Sequence, residues 1–591
     1  MIVVLSCGIG SALCLWAAPI ELQVLEPSQR GFVIRDYPVQ VGLVFQRGEL
    51  AQAPGGGIKD DLGNPVPFLA EVTGWWDKER TSIKWLLLKF KASTDRRYYF
   101  CPGETPLSPS GSPLATQGPD QSITVNTGPL VVTLKQGTGN LFDRVMLGGR
   151  DMLSGSAQPA MILVKDVAGN SFPTVPINWK VVIEENNSLQ AVLKATGDMQ
   201  EQPGGVIASV EVRYQFFKNE SFVRIYHTMI WKVAEPREDS SAVEVKQPQI
   251  GLNQWSFRLT PALGPSGTLE VGKSEYTSES YLGNWDATTN YYIHQEEEYE
   301  ERNPTTYPEP KYITRYSITR NGIQADQGKF LGGYISLRSS DGYGVGVAMR
   351  DLWQMYPKAF SFENNSLTVE FWPSKSYRMG FAQYDILTPQ MYWNKVWENP
   401  NTYAGKFWRD VKHSQGLAHF IDEYGPSWFD NPYYYYTAQG VSRTHELTIY
   451  FFGPNSSWTV AQLNSITQHP VVLRQDPKVA MRVPFMGFEV IPMNSNFPDI
   501  EWAIDQLGKI VCSRWLELKH YGLWRFGFLR WAENMVNYRW MDGLQYDQQL
   551  IPWILFMRGG DRSYFEEAER ISRYAMDVHT NHWVDRCIGR P

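Results

Sequence analysis

Cysteine is scarce, with five in 591 residues, and the few present are badly placed for cross-linking. Cys7 and Cys14 fall in an apolar N-terminal stretch, and Cys101, Cys512 and Cys587 show no paired spacing. That excludes a disulfide framework and a cysteine-rich zinc module. Basic charge is also short: 55 Lys and Arg against 62 Asp and Glu give a net charge of −7, with no long Lys/Arg run. General nucleic-acid binding rests on neutralising phosphates, so nucleic acid is not an expected partner. No phosphate loop, no H-E-x-x-H and no G-x-S-x-G elbow between a strand and a helix is found, which removes the commonest nucleotide, zinc-protease and serine-hydrolase readings. Apolar runs long enough to cross a membrane are missing after the first residues. Met1 to Ala18 is the exception, an apolar stretch ending in small residues like a secretory h-region, though without a Lys or Arg before it. The expectation is an exported protein, secreted or periplasmic, with no membrane segment beyond this one.

What the chain has in quantity is aromatic side chains: 22 Trp, 31 Tyr and 28 Phe, together 14% of the residues. Such rings fill β-rich cores, and their flat faces also stack on sugar rings.

The fold class expected is mainly β with a C-terminal α domain. Length predicts about three or four units. Residues 19–116 read as a small β-barrel: Tyr37, Val39, Val41, Leu43 and Phe45 alternate as in a half-buried strand. Residues 102–120, rich in Pro, Ser, Gly and Thr, read as a linker. Residues 120–487 carry short strands between Gly/Asn/Pro turns, the pattern of a large antiparallel β-sandwich. Within them Glu296 to Glu301 reads as a solvated loop and Asn401 to Tyr424 as a helical insertion. Over 495–591 the period becomes helical: Trp502, Leu507, Ile510, Val511, Trp515 and Leu518 recur at roughly helical spacing. A helix is expected over about Leu544 to Met557, ended by Gly559-Gly560, and another is expected to start at a Ser563/Glu566 capping box. The chain is expected to stop inside an incomplete helical domain.

Three stretches carry a family resemblance. The first is Pro38 to Leu50 (PVQVGLVFQRGEL) with Ser82-Ile83-Lys84-Trp85-Leu86-Leu87-Leu88. The second is Met349-Arg350-Asp351-Leu352-Trp353-Gln354-Met355-Tyr356-Pro357-Lys358 with Gly440 to Leu447 (GVSRTHEL). The third is Tyr546-Asp547 with Gly560 to Phe565 and Asp577-Val578-His579. Together they resemble the exo-rhamnogalacturonan lyases of polysaccharide lyase family 26 and their bacterial relatives. The resemblance implies a small N-terminal β-barrel, a central β-sandwich and the start of an α/α toroid. It also implies β-elimination on an acidic polysaccharide, the rhamnogalacturonan I backbone of pectin.

β-Elimination at a uronate needs a cation against the carboxylate, a base at C5 and an acid at the leaving oxygen. Arg suits the first through its fork, and His, Tyr or Lys suits the others. The catalytic candidates are His445, Arg443, Tyr356 and Arg350. As a strand, 443–451 puts Arg443, His445, Leu447, Ile449 and Phe451 on one face and Thr444, Glu446, Thr448 and Tyr450 on the other. Arg443 and His445 would then stand side by side as clamp and base; the same residues also read as a core histidine beside a sheet-edge arginine. Arg350, Asp351, Tyr356 and Lys358 follow a strand end, where catalytic groups gather. Substrate contacts are expected from Lys358, Asp351, Glu446, Tyr546, Asp547 and His579. The sequence assigns no cofactor, and calcium is compatible with the chemistry. Asp351, Glu446 and Asp547 would also serve a glycoside hydrolase, and a carbohydrate-binding protein without turnover is a third reading.

Overall fold

A computed structural model of the chain describes residues 18–156, 158–166, 176–200, 206–232, 251–300, 311–376, 379–380, 440–484, 490–517, 521–524, 526–527 and 549–583. The signal-like segment before Ala18, the expected helix at 401–424, and Tyr546 and Asp547 lie outside them. The architecture is mainly β with a few C-terminal helices, built from several antiparallel sheets.

The alternation near the N-terminus is a strand. Tyr37–Val44 buries Tyr37, Val39, Val41 and Leu43 while Gln40 and Gly42 face water. It pairs with Ile83–Ala92, which pairs with Phe68–Trp75. A five-stranded sheet packs against these three, and both share a core that includes Leu22, Leu43, Phe90 and Phe100. One of its edge strands, Val472–Gln475, comes from beyond the central sheets and pairs with Ile20–Leu25. The Gln475 side-chain amide accepts from the Val44 N–H at 2.9 Å and donates to the Val44 carbonyl at 3.2 Å, stitching the two N-terminal sheets together.

The central region pairs a nine-stranded sheet with an eight-stranded one. The strands that matter below lie side by side in the nine-stranded sheet: β1 (Phe222–Trp231), β2 (Gly344–Met349) and β3 (Ser442–Phe452), in the spatial order β1-β3-β2. Between the sheets lies one continuous core, where Trp231, Trp255, Trp285 and Trp372 are each exposed by 2% or less. Much of the aromatic content is therefore core, where each ring removes a large apolar area from water. The other face of the nine-stranded sheet is covered by helix α1 (Val460–Gln468), the N-terminal sheets and a C-terminal helix.

Glu296 to Glu300 departs from the loop expectation. They end the strand Tyr291–Glu300, whose register sets Glu296 opposite Arg315 and Glu300 opposite Lys311. Opposite charges at opposed positions of an antiparallel pair favour the strand over a solvated loop.

The remaining helices among the described residues are α2 (Pro477–Ala480), α3 (Pro498–Glu517), α4 (Leu550–Gly559) and α5 (Arg562–Asp577). Helix α4 ends as the glycine pair predicts, with Gly560 left-handed at φ 73°. Helix α5 starts two residues earlier than the expected box implies. Asp561, not Ser563, is the cap: its carboxylate accepts from the Ser563 N–H at 2.9 Å and the Ser563 hydroxyl at 2.8 Å. A carboxylate also complements the helix dipole, so it displaces the hydroxyl from that role. Asp561→Ala should cost about 1 kcal/mol, read by chemical denaturation. In α3 the expected apolar face is not buried against the described residues: Trp502, Leu507 and Ile510 are 66%, 64% and 56% exposed.

Candidate functional site

Strand alternation divides β1 and β3 into two unlike faces. Register sets Tyr226 beside Glu446 and His227 beside His445. The even-numbered side chains of both strands face α5 and the N-terminal sheets, and the odd-numbered ones enter the sandwich.

On the sandwich side, His445 and His227 are both fully buried, and neither ring nitrogen of either one has a hydrogen-bond partner among the described residues. Phe371 lies 4.3 Å from the His445 ring centre, and Trp255 lies 5.0 Å from it. Burial, then Lys358 and Arg443, then His227, push the His445 pKa well below its ordinary value. Burial pushes His227 down to about 3. The sequence-based choice of His445 as a base at a substrate therefore places a neutral core imidazole, with no exposure to solvent, in that role. Lys358 is likewise sealed: it has zero exposure, and its ammonium donates to the carbonyls of Met355, Pro357 and Phe371. Tyr356 packs in a small cluster with Met355, Tyr521 and Phe526. His579 sits exposed just beyond the C-terminus of α5, its ring 4.9 Å from Tyr574.

The opposite face holds the charged groups. Helix α5 turns Glu569, Arg573 and Asp577, spaced by four, toward the sheet. Asp577 accepts from the Thr444 N–H at 2.9 Å and the Thr444 hydroxyl at 2.8 Å, which docks the end of the helix on β3. Arg350, just after β2, reaches Glu446 at 3.1 Å and Glu569 at 2.6 Å, and Arg573 reaches the same two carboxylates at 2.6 and 2.9 Å. Arg224 stands 3.8 Å from Glu446 and donates to the Tyr37 hydroxyl at 2.9 Å. Burial alone would raise both carboxyls, but the surrounding arginines win. Arg350 and Arg573 hold Glu569 below the carboxylate range, and Arg573, Arg350 and Arg224 lower Glu446. Both are ionised at neutral pH.

This network is the wall between two cavities of about 360 Å3 each. One opens toward the N-terminal sheets, past Tyr37, Gln190, Gln215 and Arg224. The other is lined by Tyr226, Arg350, Asp351, Arg443, Glu446 and Asp577, with Phe526 and Trp553 at its apolar side. Arg443 is 3% exposed, and its partners there are weak: the Phe526 carbonyl at 3.0 Å, the Met355 sulfur at 3.0 Å and Asp577 at 4.0 Å. Its Nε has no acceptor. Asp351 has φ 54°, an uncommon conformation for a non-glycine residue, and its N–H is held by the Gln468 side chain at 2.9 Å. Burial raises the Asp351 pKa against the pull of Arg350 and Arg573. Burial, then Glu446, raises Tyr226.

Of the residues chosen from sequence, Arg443, Arg350, Asp351 and Glu446 thus meet at one cavity, while His445, Tyr356, Lys358 and His579 do not line it. Tyr226, Glu569 and Arg573 were missed. The register of β1 against β3 could have drawn attention to Tyr226, since its alternation is as clear as that of β3. Among the described residues, no group of three or more His, Cys, Asp or Glu is placed to hold a metal ion.

Comparison with known proteins bears on the sandwich. Residues 114–245 match the family model described as PcRGLX-like protein central beta sandwich domain. This is less than half of the chain, and no curated protein matches it. Among solved structures, a protein in the glycosyl hydrolase family 38 from Enterococcus faecalis is 10% identical with a TM-score of 0.39, over 78% of this chain and 47% of that one. An alpha-mannosidase from Enterococcus faecalis V583 is 10% identical with a TM-score of 0.42, over 78% of this chain and 46% of that one. The chain spans about half the length of these two structures.

Proposed function

We propose that the chain is a carbohydrate-active enzyme that cleaves a uronic-acid-containing polysaccharide by β-elimination, with rhamnogalacturonan I as the first substrate to test. One observation carries the reading: Arg443 is a buried cation with an unused N–H, lining a cavity beside Arg350, Asp351 and Tyr226. A substrate carboxylate in the cavity pairs with the Arg443 guanidinium, whose nearest described carboxylate, Asp577, is 4.0 Å away, and Arg350 adds a second positive charge. Asp351, a carboxylate lining the same cavity whose pKa burial raises, takes the C5 proton. Tyr226 stays protonated at neutral pH and donates to the leaving oxygen. The match of residues 114–245 to a PcRGLX-like sandwich supports an enzyme acting on such a polymer.

A glycoside hydrolase is the second reading, favoured by the contrast between Asp351, raised, and Glu446, lowered. The product separates the two. Incubation with rhamnogalacturonan I should raise the ultraviolet absorbance of an unsaturated uronate in step with new chain ends. New reducing ends without that absorbance would replace the lyase by a hydrolase.

A further inference from the structure

Outside this cavity, His469 closes helix α1 and stands among charges from three other parts of the chain. Its Nε2 lies 3.2 Å from Glu275, in the connection after the strand Ser266–Gly272, and its Nδ1 lies 3.3 Å from Glu566 of α5. Tyr276 stacks on the ring at 4.2 Å, 10° from parallel, with its hydroxyl 3.3 Å from Nδ1. Arg562 of α5 pairs with Glu566 at 2.9 Å. From the N-terminal segment, Arg30 donates to the His469 carbonyl and pairs with Glu26.

A neutral imidazole has one N–H and can satisfy one of the two carboxylates; the other would then face a ring lone pair. An imidazolium donates to both. We propose that His469 is an ionisable clasp: protonated, it ties Glu275 of the sandwich to Glu566 of α5, and its deprotonation loosens that helix. Glu566 lies one turn before Glu569 and two before Arg573, so the clasp sets the position of the wall between the cavities. Its effect on turnover rests on the function proposed above; the clasp itself does not.

Burial lowers the His469 pKa, but the hydrogen bonds and charges of Glu275 and Glu566 outweigh it, and the net shift is upward. A folded-state pKa above the unfolded one means the stabilisation is complete below the unfolded value, about 6.5, and is lost as pH rises through the folded value. The clasp is closed in mildly acidic solution and opens on the alkaline side.

The test is amide hydrogen exchange of the full chain, read by mass spectrometry from about pH 5.5 to about pH 8.5 and corrected for intrinsic exchange. Peptides of α5 should lose protection severalfold across the alkaline half of that range, while β1 and β3 stay protected. His469→Gln should give low α5 protection at every pH. If that variant fails to fold, Glu275→Gln should flatten the dependence by removing one of the two bonds. Protection of α5 that ignores pH in the wild type, or a dependence that survives in both variants, overturns the clasp. Absence of lyase or hydrolase turnover with a pH-dependent α5 would count against the proposed function and leave the clasp standing.

Discussion

Glu446→Gln should destabilise the protein by about 3–5 kcal/mol, although the change keeps the shape of the side chain. Glu446 is 5% exposed and faces three cations, with Arg573 at 2.6 Å, Arg350 at 3.1 Å and Arg224 at 3.8 Å. Arg350 is itself 7% exposed, so removing the negative charge leaves it buried against Glu569, for which Arg573 competes, and the more distant Asp351 at 3.9 Å. The loss is that of breaking a buried pair, which far exceeds the net worth of making one, because each ion was already stripped of water. The same reasoning predicts strong coupling. Arg350→Met in a Glu446→Gln background should cost much less than in the wild type, since it removes a charge that has lost a partner. Urea unfolding followed by Trp fluorescence measures both; additive costs would mean that Glu446 and Arg350 act independently.

Acid should unfold the protein steeply, through two buried histidines, of which His445 reads as catalytic in the sequence. His227 and His445 are neutral in the folded sandwich, with His227 pushed down to about 3 and His445 pushed well below its usual value by burial and by Lys358 and Arg443. In the unfolded chain each takes a proton near pH 6.5. The unfolded state then binds more protons than the folded one, so stability falls as pH drops below that value and keeps falling toward the low folded pKa. Each such histidine contributes a slope of up to about 1.4 kcal/mol per pH unit, so the two together give up to about 2.7. Stability measured by urea from about pH 7 down to about pH 4 should show this slope, and His227→Leu should remove about half of it. An unchanged acid limb in that variant would mean the imidazoles are not the groups being protonated. With His469 acting in the opposite sense on the alkaline side, α5 should be best held in mildly acidic solution while the sandwich core is best held near neutrality.

The same two strands show what sequence could and could not reveal. Alternation along Ser442–Phe452 correctly separated Arg443 and His445 from Glu446, because a strand offers only two faces. Which face meets water depends on what covers each. Helix α5 and the N-terminal sheets fold over the Glu446 side, and the eight-stranded sheet with Trp255 and Phe371 seals the His445 side. Those contacts join residues far apart in the chain, so no local pattern announces them. Arg443 was legible for another reason: it lies at the start of its strand, and its guanidinium reaches the cavity past the edge of the core. Arg573 and Glu569 were invisible, since a surface-like i, i+4 ion pair reads as solvated until a sheet is laid against it. The acidic run at Glu296 is strand rather than loop for a similar reason, because the positions set opposite it, including Arg315, belong to the next strand.

The most direct test of the candidate cavity is one hydroxyl. Tyr226→Phe removes the proton donor proposed for the leaving oxygen and disturbs little else, its contact with Glu446 being 3.5 Å long. Initial rates of unsaturated-uronate formation from rhamnogalacturonan I, with the thermal midpoint measured in parallel, should show turnover reduced about 10²–10⁴-fold at an unchanged midpoint. A Tyr226→Phe protein that folds normally and releases unsaturated product at the wild-type rate would contradict the account and move the chemistry away from this cavity.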